Sequence, residues 1–188
     1  MLKEIINETT DAVVAAVKGT DDILSAVTDT VKNQVVNVLK GGGEVSGTGV
    51  DEVASVASGA IKGAGQVSAS LTEVAAGTMS GVVKGVHEVG GDVVSAVRGA
   101  AKGVVQATAE TGGDVAAAAV SVVEGAVKSA GSVGVETAAA TKAAVGGAME
   151  AVASVGGEAV QKVRQALLSA AALPRDVVES ALKGSNQR

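Results

Sequence analysis

The sequence predicts an all-α protein of long, nearly straight amphipathic helices, elongated rather than globular, set in a helical bundle or along a surface. Three observations carry that prediction. Glycines recur every 22 residues, at Gly59, Gly81, Gly103, Gly125 and Gly147. Each 22-residue unit divides into two 11-residue units with the same order of apolar and polar positions. The chain has no Phe, Tyr or Trp, and 26 of its 188 residues are Gly. Aromatic side chains normally supply the largest pieces of a globular core. An assembly of Val and Ala is better kept thin.

The register is visible by eye. Segment 81–102 reads GVVKGVHEVGGDVVSAVRGAAK and segment 103–124 reads GVVQATAETGGDVAAAAVSVVE, identical at nine of 22 positions. Lys18, Lys40, Lys62, Lys84 and Lys128 fall on one grid, with Gln106 in the gap. Lys32, Arg98, Lys142 and Arg164 fall on another. With Gly59 as position one, positions two, three, six, nine and ten of the 11-residue unit are mostly apolar or small. Positions four and eight are mostly charged or polar. Eleven residues make three helical turns at about 3.67 per turn, so such a seam runs nearly straight. The five apolar positions span roughly 130° of the helix, a normal amphipathic stripe. Strand alternation fits badly, because positions two and three are adjacent and both apolar.

Taken in order, residues 1–40 read as an N-terminal amphipathic helix. Residues 41–50 read as a Gly-rich joint, with Gly41, Gly42, Gly43, Gly47 and Gly49 as hinge residues. Thr48 suits the cap of the next helix, and Asp51 and Glu52 its first turn. Residues 51–173 then read as one long repeat helix, on the order of 180 Å if unbroken. Gly-Gly-Asp at 90–92 and 112–114 also fits a helix stop followed by an N-cap. Phase preserved across each pair favours continuity. Pro174 breaks the pattern and opens a short C-terminal helix, stopped by Gly184 and followed by a tail.

The apolar seam is read at Val82, Val83, Val86, Val89, Val93, Val94, Val97, Val104, Val105 and Val115. GxxxG spacings mark Gly59, Gly63, Gly77, Gly81, Gly85, Gly99 and Gly103 as close-packing glycines, where one helix backbone approaches another. Each helical Gly costs about 1 kcal/mol relative to Ala, and 19 of them lie between residues 51 and 172. A free single helix would be poorly populated, so ordering is expected to accompany assembly or binding.

Chemistry is not indicated. His87 is the one histidine and there is no Cys, so neither a nucleophilic triad nor a thiolate metal site can be assembled. No catalytic, cofactor-binding or metal-binding residue is assigned. A net charge of −5 argues against nucleic acid, which needs a basic stripe. Charges interrupt every apolar run well short of the roughly 20 residues of a membrane span. Glu4 and Glu8 stand where a secretory signal needs an apolar run, so a cytoplasmic protein is expected.

Strings such as GVVKGVHEVGGDVVSAV and GAVKSAGSVGVETAAATKAAV carry a pattern that resembles the 11-residue repeats of synucleins, perilipins, exchangeable apolipoproteins and late-embryogenesis-abundant proteins. Bacterial lipid-granule coat proteins, the phasins, are a looser comparison. The resemblance covers about residues 10–168. It implies a non-catalytic helix lying flat on a lipid or membrane surface. The alternative is a self-assembling scaffold or stalk, in which copies of the chain bundle through the small-residue seam and tether partner proteins, within a larger complex or at a membrane. The expected partner is thus a lipid surface or a second copy.

Overall fold

The computed structural model describes residues 1–41 and 48–185, the side chain of Thr48 excepted. It is 83% helical. Among the described residues there are nine helices and no strand: α1 Leu2–Val17, α2 Ile23–Gly41, α3 Thr48–Gln66, α4 Leu71–Glu88, α5 Val93–Glu110, α6 Val115–Ser132, α7 Thr137–Ala153, α8 Gly157–Ser169 and α9 Arg175–Ser185. Helices two apart in sequence lie side by side. α1, α3, α5, α7 and α9 form one layer, and α2, α4, α6 and α8 form a second laid against it. The all-α, repeat-built expectation holds.

The single helix expected over 51–173 does not exist. Six helices, α3 to α8, occupy that stretch, and α1 and α2 divide the helix expected over 1–40. The reason is local. Gly90, Gly112 and Gly134 take φ of +71°, +72° and +74°, a left-handed conformation that glycine adopts without steric cost. Gly91 N–H then donates to Val86 C=O at 2.9 Å and Gly90 N–H to His87 C=O at 3.0 Å. Gly113 and Gly112 repeat this pair of bonds on Thr108 and Ala109. These are Schellman stops. The next residue starts the following helix: Asp92 Oδ1 accepts from Val94 and Ser95 N–H, and Asp114 Oδ1 from Ala116 and Ala117 N–H. Between α1 and α2, Asp22 Oδ1 accepts from Ser25 N–H in the same way. Gly-Gly-Asp is therefore a stop and a start. One 22-residue unit is one helix plus one turn. The phase kept across each glycine pair is the phase of a stack.

Ser68 occupies the Gly90 position one unit earlier, at φ +53°, and is the one non-glycine with positive φ among the described residues. A side chain there costs about 1–2 kcal/mol. Ser68→Gly is expected to raise the urea midpoint by an amount equivalent to about 1 kcal/mol, with an unchanged slope. A lowered midpoint would show that the Ser68 side chain supports the turn.

The Gly-rich joint is only partly visible. Gly42, Gly43 and Gly47 lie outside the described residues. Gly41 ends α2, and Gly49 lies inside α3 and is buried rather than hinge-like. Pro174 stands just before α9 and its carbonyl accepts from Val177 and Val178 N–H. α9 runs through Gly184 to Ser185, so Gly184 does not stop it.

The core between the layers is Val and Ala, with Ile61, Met79 and Leu167 its largest fully buried side chains. The two ends expose mainly polar side chains, with Met1, Leu2 and Leu24 the large exposed apolar residues of the first two helices. α1 turns Lys3, Glu4, Asn7, Glu8 and Asp11 outward, and α8 and α9 expose Gln161, Lys162, Gln165, Arg175 and Lys183. Repeat arrays need such polar terminal units to stay soluble.

Candidate functional site

The residues singled out in the sequence meet between helices. Val82, Val83, Val97, Val104 and Val105 are 0% exposed and Val86 is 1% exposed. Val93 is buried, and Val89, Val94 and Val115 are half-buried against the same core. The partner that this seam requires is the rest of the chain.

The glycines sit where α helices two apart touch. A Cβ on Gly59 would stand 2.6 Å from the Ile6 carbonyl oxygen, and one on Gly81 2.6 Å from that of Thr28. On Gly63 and Gly99 it would stand 2.8 Å from the Thr10 and Val50 oxygens. Gly85 and Gly77 are slightly looser, at 3.0 Å from Lys32 O and 3.1 Å from Leu24 O. A Cβ on Gly103 would run into the Ala54 carbonyl oxygen. Two further glycines do the same work without a GxxxG spacing: Gly125 against Ala76, and Gly147 against the Arg98 carbonyl oxygen. The 22-residue grid contains both, and it was the signal that could have found them.

Threonines tie these contacts. The Thr10 hydroxyl lies 2.8 Å from Ile6 O on its own helix and 3.1 Å from Gly59 O, 49 residues away. Thr28 repeats this with Leu24 O and Gly77 O, again 49 residues away. Ser58 donates to Gly103 O, 45 residues away. The step of four residues separates pairs that straddle segment 42–47 from a pair that does not. The register is otherwise kept. The Thr9 and Thr78 hydroxyls are buried without a hydrogen-bond partner.

Outside the seam, ion pairs bridge neighbours within each layer. Lys32 reaches Glu88 at 2.7 Å between α2 and α4, and Lys62 reaches Glu110 at 3.0 Å between α3 and α5. Lys102 and Arg98 of α5 share Glu150 of α7, at 2.8 and 3.2 Å. Lys102 first, and then Arg98, hold the Glu150 carboxyl below its ordinary value, against partial burial. Lys32 lowers Glu88 likewise, and Glu88 raises Lys32. The depressed carboxylates contribute stability above the unfolded carboxylate pKa, about 4, which is lost as pH falls through the folded values. The raised Lys32 contributes below its unfolded pKa of about 10 and loses this as pH climbs through its folded value. A thermal midpoint flat between these limits and falling on acidification is expected. Glu150→Gln should remove part of the acid loss, under about 1 kcal/mol for exposed pairs. An acid limb unchanged in the variant would show that the Glu150 pairs contribute nothing.

His87 is exposed in the last turn of α4. Among the described residues no three His, Asp or Glu side chains are grouped to hold a metal, and no helix is long and apolar enough to cross a membrane. Shallow grooves run along the outside of each layer. The α1–α3–α5 groove is floored by Ile6, Val50, Ala54 and Ser58 and edged by Lys62, Arg98 and Lys102.

No protein family matches the chain, and no curated protein does. Among solved structures, the crystal structure of DHR7, a de novo designed helical repeat protein, matches with a TM-score of 0.54 at 16% identity. The match covers 100% of this chain and 98% of that one. The likeness extends over the whole length, and it is a likeness of fold: this chain is an all-α protein of helical-repeat architecture.

Proposed function

We propose that the chain is a non-catalytic scaffold, a folded helical-repeat spacer that engages partner proteins through the polar outer faces of its two layers. The observation that carries this reading is the position of the seam. Val82, Val83, Val86, Val97, Val104 and Val105 are spent between the layers, and both ends expose mainly polar side chains. Neither a lipid surface nor further copies are then needed to cover apolar area. The groove along α1, α3 and α5 offers a partner small side chains to lie on and charges of both signs along its edge.

The lipid-coat reading implied by the 11-residue resemblance requires the two layers to open and lay the seam on lipid. Circular dichroism and sedimentation at several protein concentrations, with and without phospholipid vesicles, separate the two. A scaffold is expected to be monomeric and strongly helical at the lowest concentration, and unchanged by vesicles. Helicity that rises only with vesicles, together with flotation, would overturn it in favour of a coat. Helicity lost on dilution would overturn it in favour of assembly from copies.

A further inference from the structure

The two C-terminal helices are attached differently from the rest. α5 buries eleven of its 18 residues and α4 ten of 18. α8 buries two of 13, Val163 and Leu167, and α9 two of 11, Val178 and Leu182. The helices of the array from α3 to α7 each carry a glycine that seats against a neighbour. Gly157 and Gly184, the glycines of α8 and α9, meet nothing. The turn that leads into α8 has neither of the devices seen at α5 and α6. Gly156 takes φ +140° rather than the +71° to +74° of Gly90, Gly112 and Gly134. It forms the N-cap of α8 without a side-chain bond. Val155 beside it is 47% exposed.

We propose that α8 and α9 form a latch that opens as one unit about Val155–Gly157 while α1 to α7 stay folded, uncovering the flanks of α6 and α7. Opening free energy in a protein follows the apolar area that each cooperative unit buries. Four buried anchors and Leu173 tie the pair to the end of the common core, helped by half-buried residues such as Val160 and Leu168, whereas α4 and α5 are buried along their length. The linker 170–174 that joins them is itself anchored by Leu173, and either helix is too short to stay helical once undocked. Isolated helices below about 12–15 residues are marginal in water. α6 packs against α8 and α7 against α9, so one event frees an edge on both layers.

Amide hydrogen exchange on the full chain in mild denaturant tests this. Peptides from 157–169 and 175–185 are expected to exchange at a common rate, at least about tenfold faster than 93–110. Val178→Ala should speed exchange in α8 and α9 equally and leave α4 and α5 unchanged. Exchange of α8 and α9 at the rate of α5 would overturn the proposal. So would a Val178→Ala effect confined to α9, which is fraying, or one spread over all helices, which is global unfolding.

Discussion

Gly146→Ala is expected to stabilise the protein and Gly147→Ala to destabilise it, although the two glycines are adjacent in α7. Both sit in a helix interior, where Ala gains about 1 kcal/mol over Gly. Nothing lies within 4 Å of a Cβ on Gly146, so that gain should appear in full. A Cβ on Gly147 meets the carbonyl oxygen of Arg98 on α5, with Ala101 Cβ at 3.1 Å. A backbone oxygen cannot rotate aside as a side chain can, so α5 and α7 must separate. Overpacking of that kind costs about 1–3 kcal/mol, enough to outweigh the propensity gain. Urea denaturation of the pair should move the midpoint in opposite directions. Both variants stabilised would mean that α5 and α7 do not approach as closely as described.

Val83→Asp is expected to be the most damaging of three charge substitutions, and Lys84→Asp close to neutral. Val83 is 0% exposed inside α4, with Val and Ala around it. A carboxylate there must be buried unpaired or force the layers apart. The cost is several kcal/mol, among the largest that a single substitution brings. Lys84 is exposed, and such a site usually changes stability by less than about 0.5 kcal/mol. Val94, at the equivalent position of the next 11-residue unit, is only half-buried in the first turn of α5, and Val94→Asp should fall between. Thermal melts of the three variants provide the order. Equal losses would show that the face assignment derived from the 11-residue order is wrong.

The contrast between Val83 and Lys84 was legible in the sequence, because neighbouring residues in mid-helix differ in angular position by about 100°. The glycines at 59, 63, 81, 99 and 103 were legible for a related reason: spacing of four places them on one helix stripe. What failed was the inference from phase. Preserved register at Gly90-Gly91 and Gly112-Gly113 favours one continuous helix only on the premise that a turn need not keep phase. Both of these turns have the same length and the same Gly-Gly-Asp chemistry. Stacking then demands the same register of every helix. Continuity and stacking leave one sequence signature, and the capping residue Asp92 or Asp114 is what distinguishes them. The partner of the seam could not be read either. Small residues suit any close surface, and only the order of helices in space shows that the chain closes on itself.

The alternation of layers has a consequence for how such a chain can change length. Each 22-residue unit adds one helix, and successive helices switch layer. Gaining or losing two units restores every later helix to its own layer and leaves both polar ends correctly placed. Gaining or losing one reverses the parity of everything after it. Each helix nevertheless packs on the one two before it, so the glycine–carbonyl pairs downstream keep their partners and only the helices that straddle the change meet new ones. Length is therefore a quantity that this architecture can vary one helix at a time, with the disturbance confined to the place where the change is made.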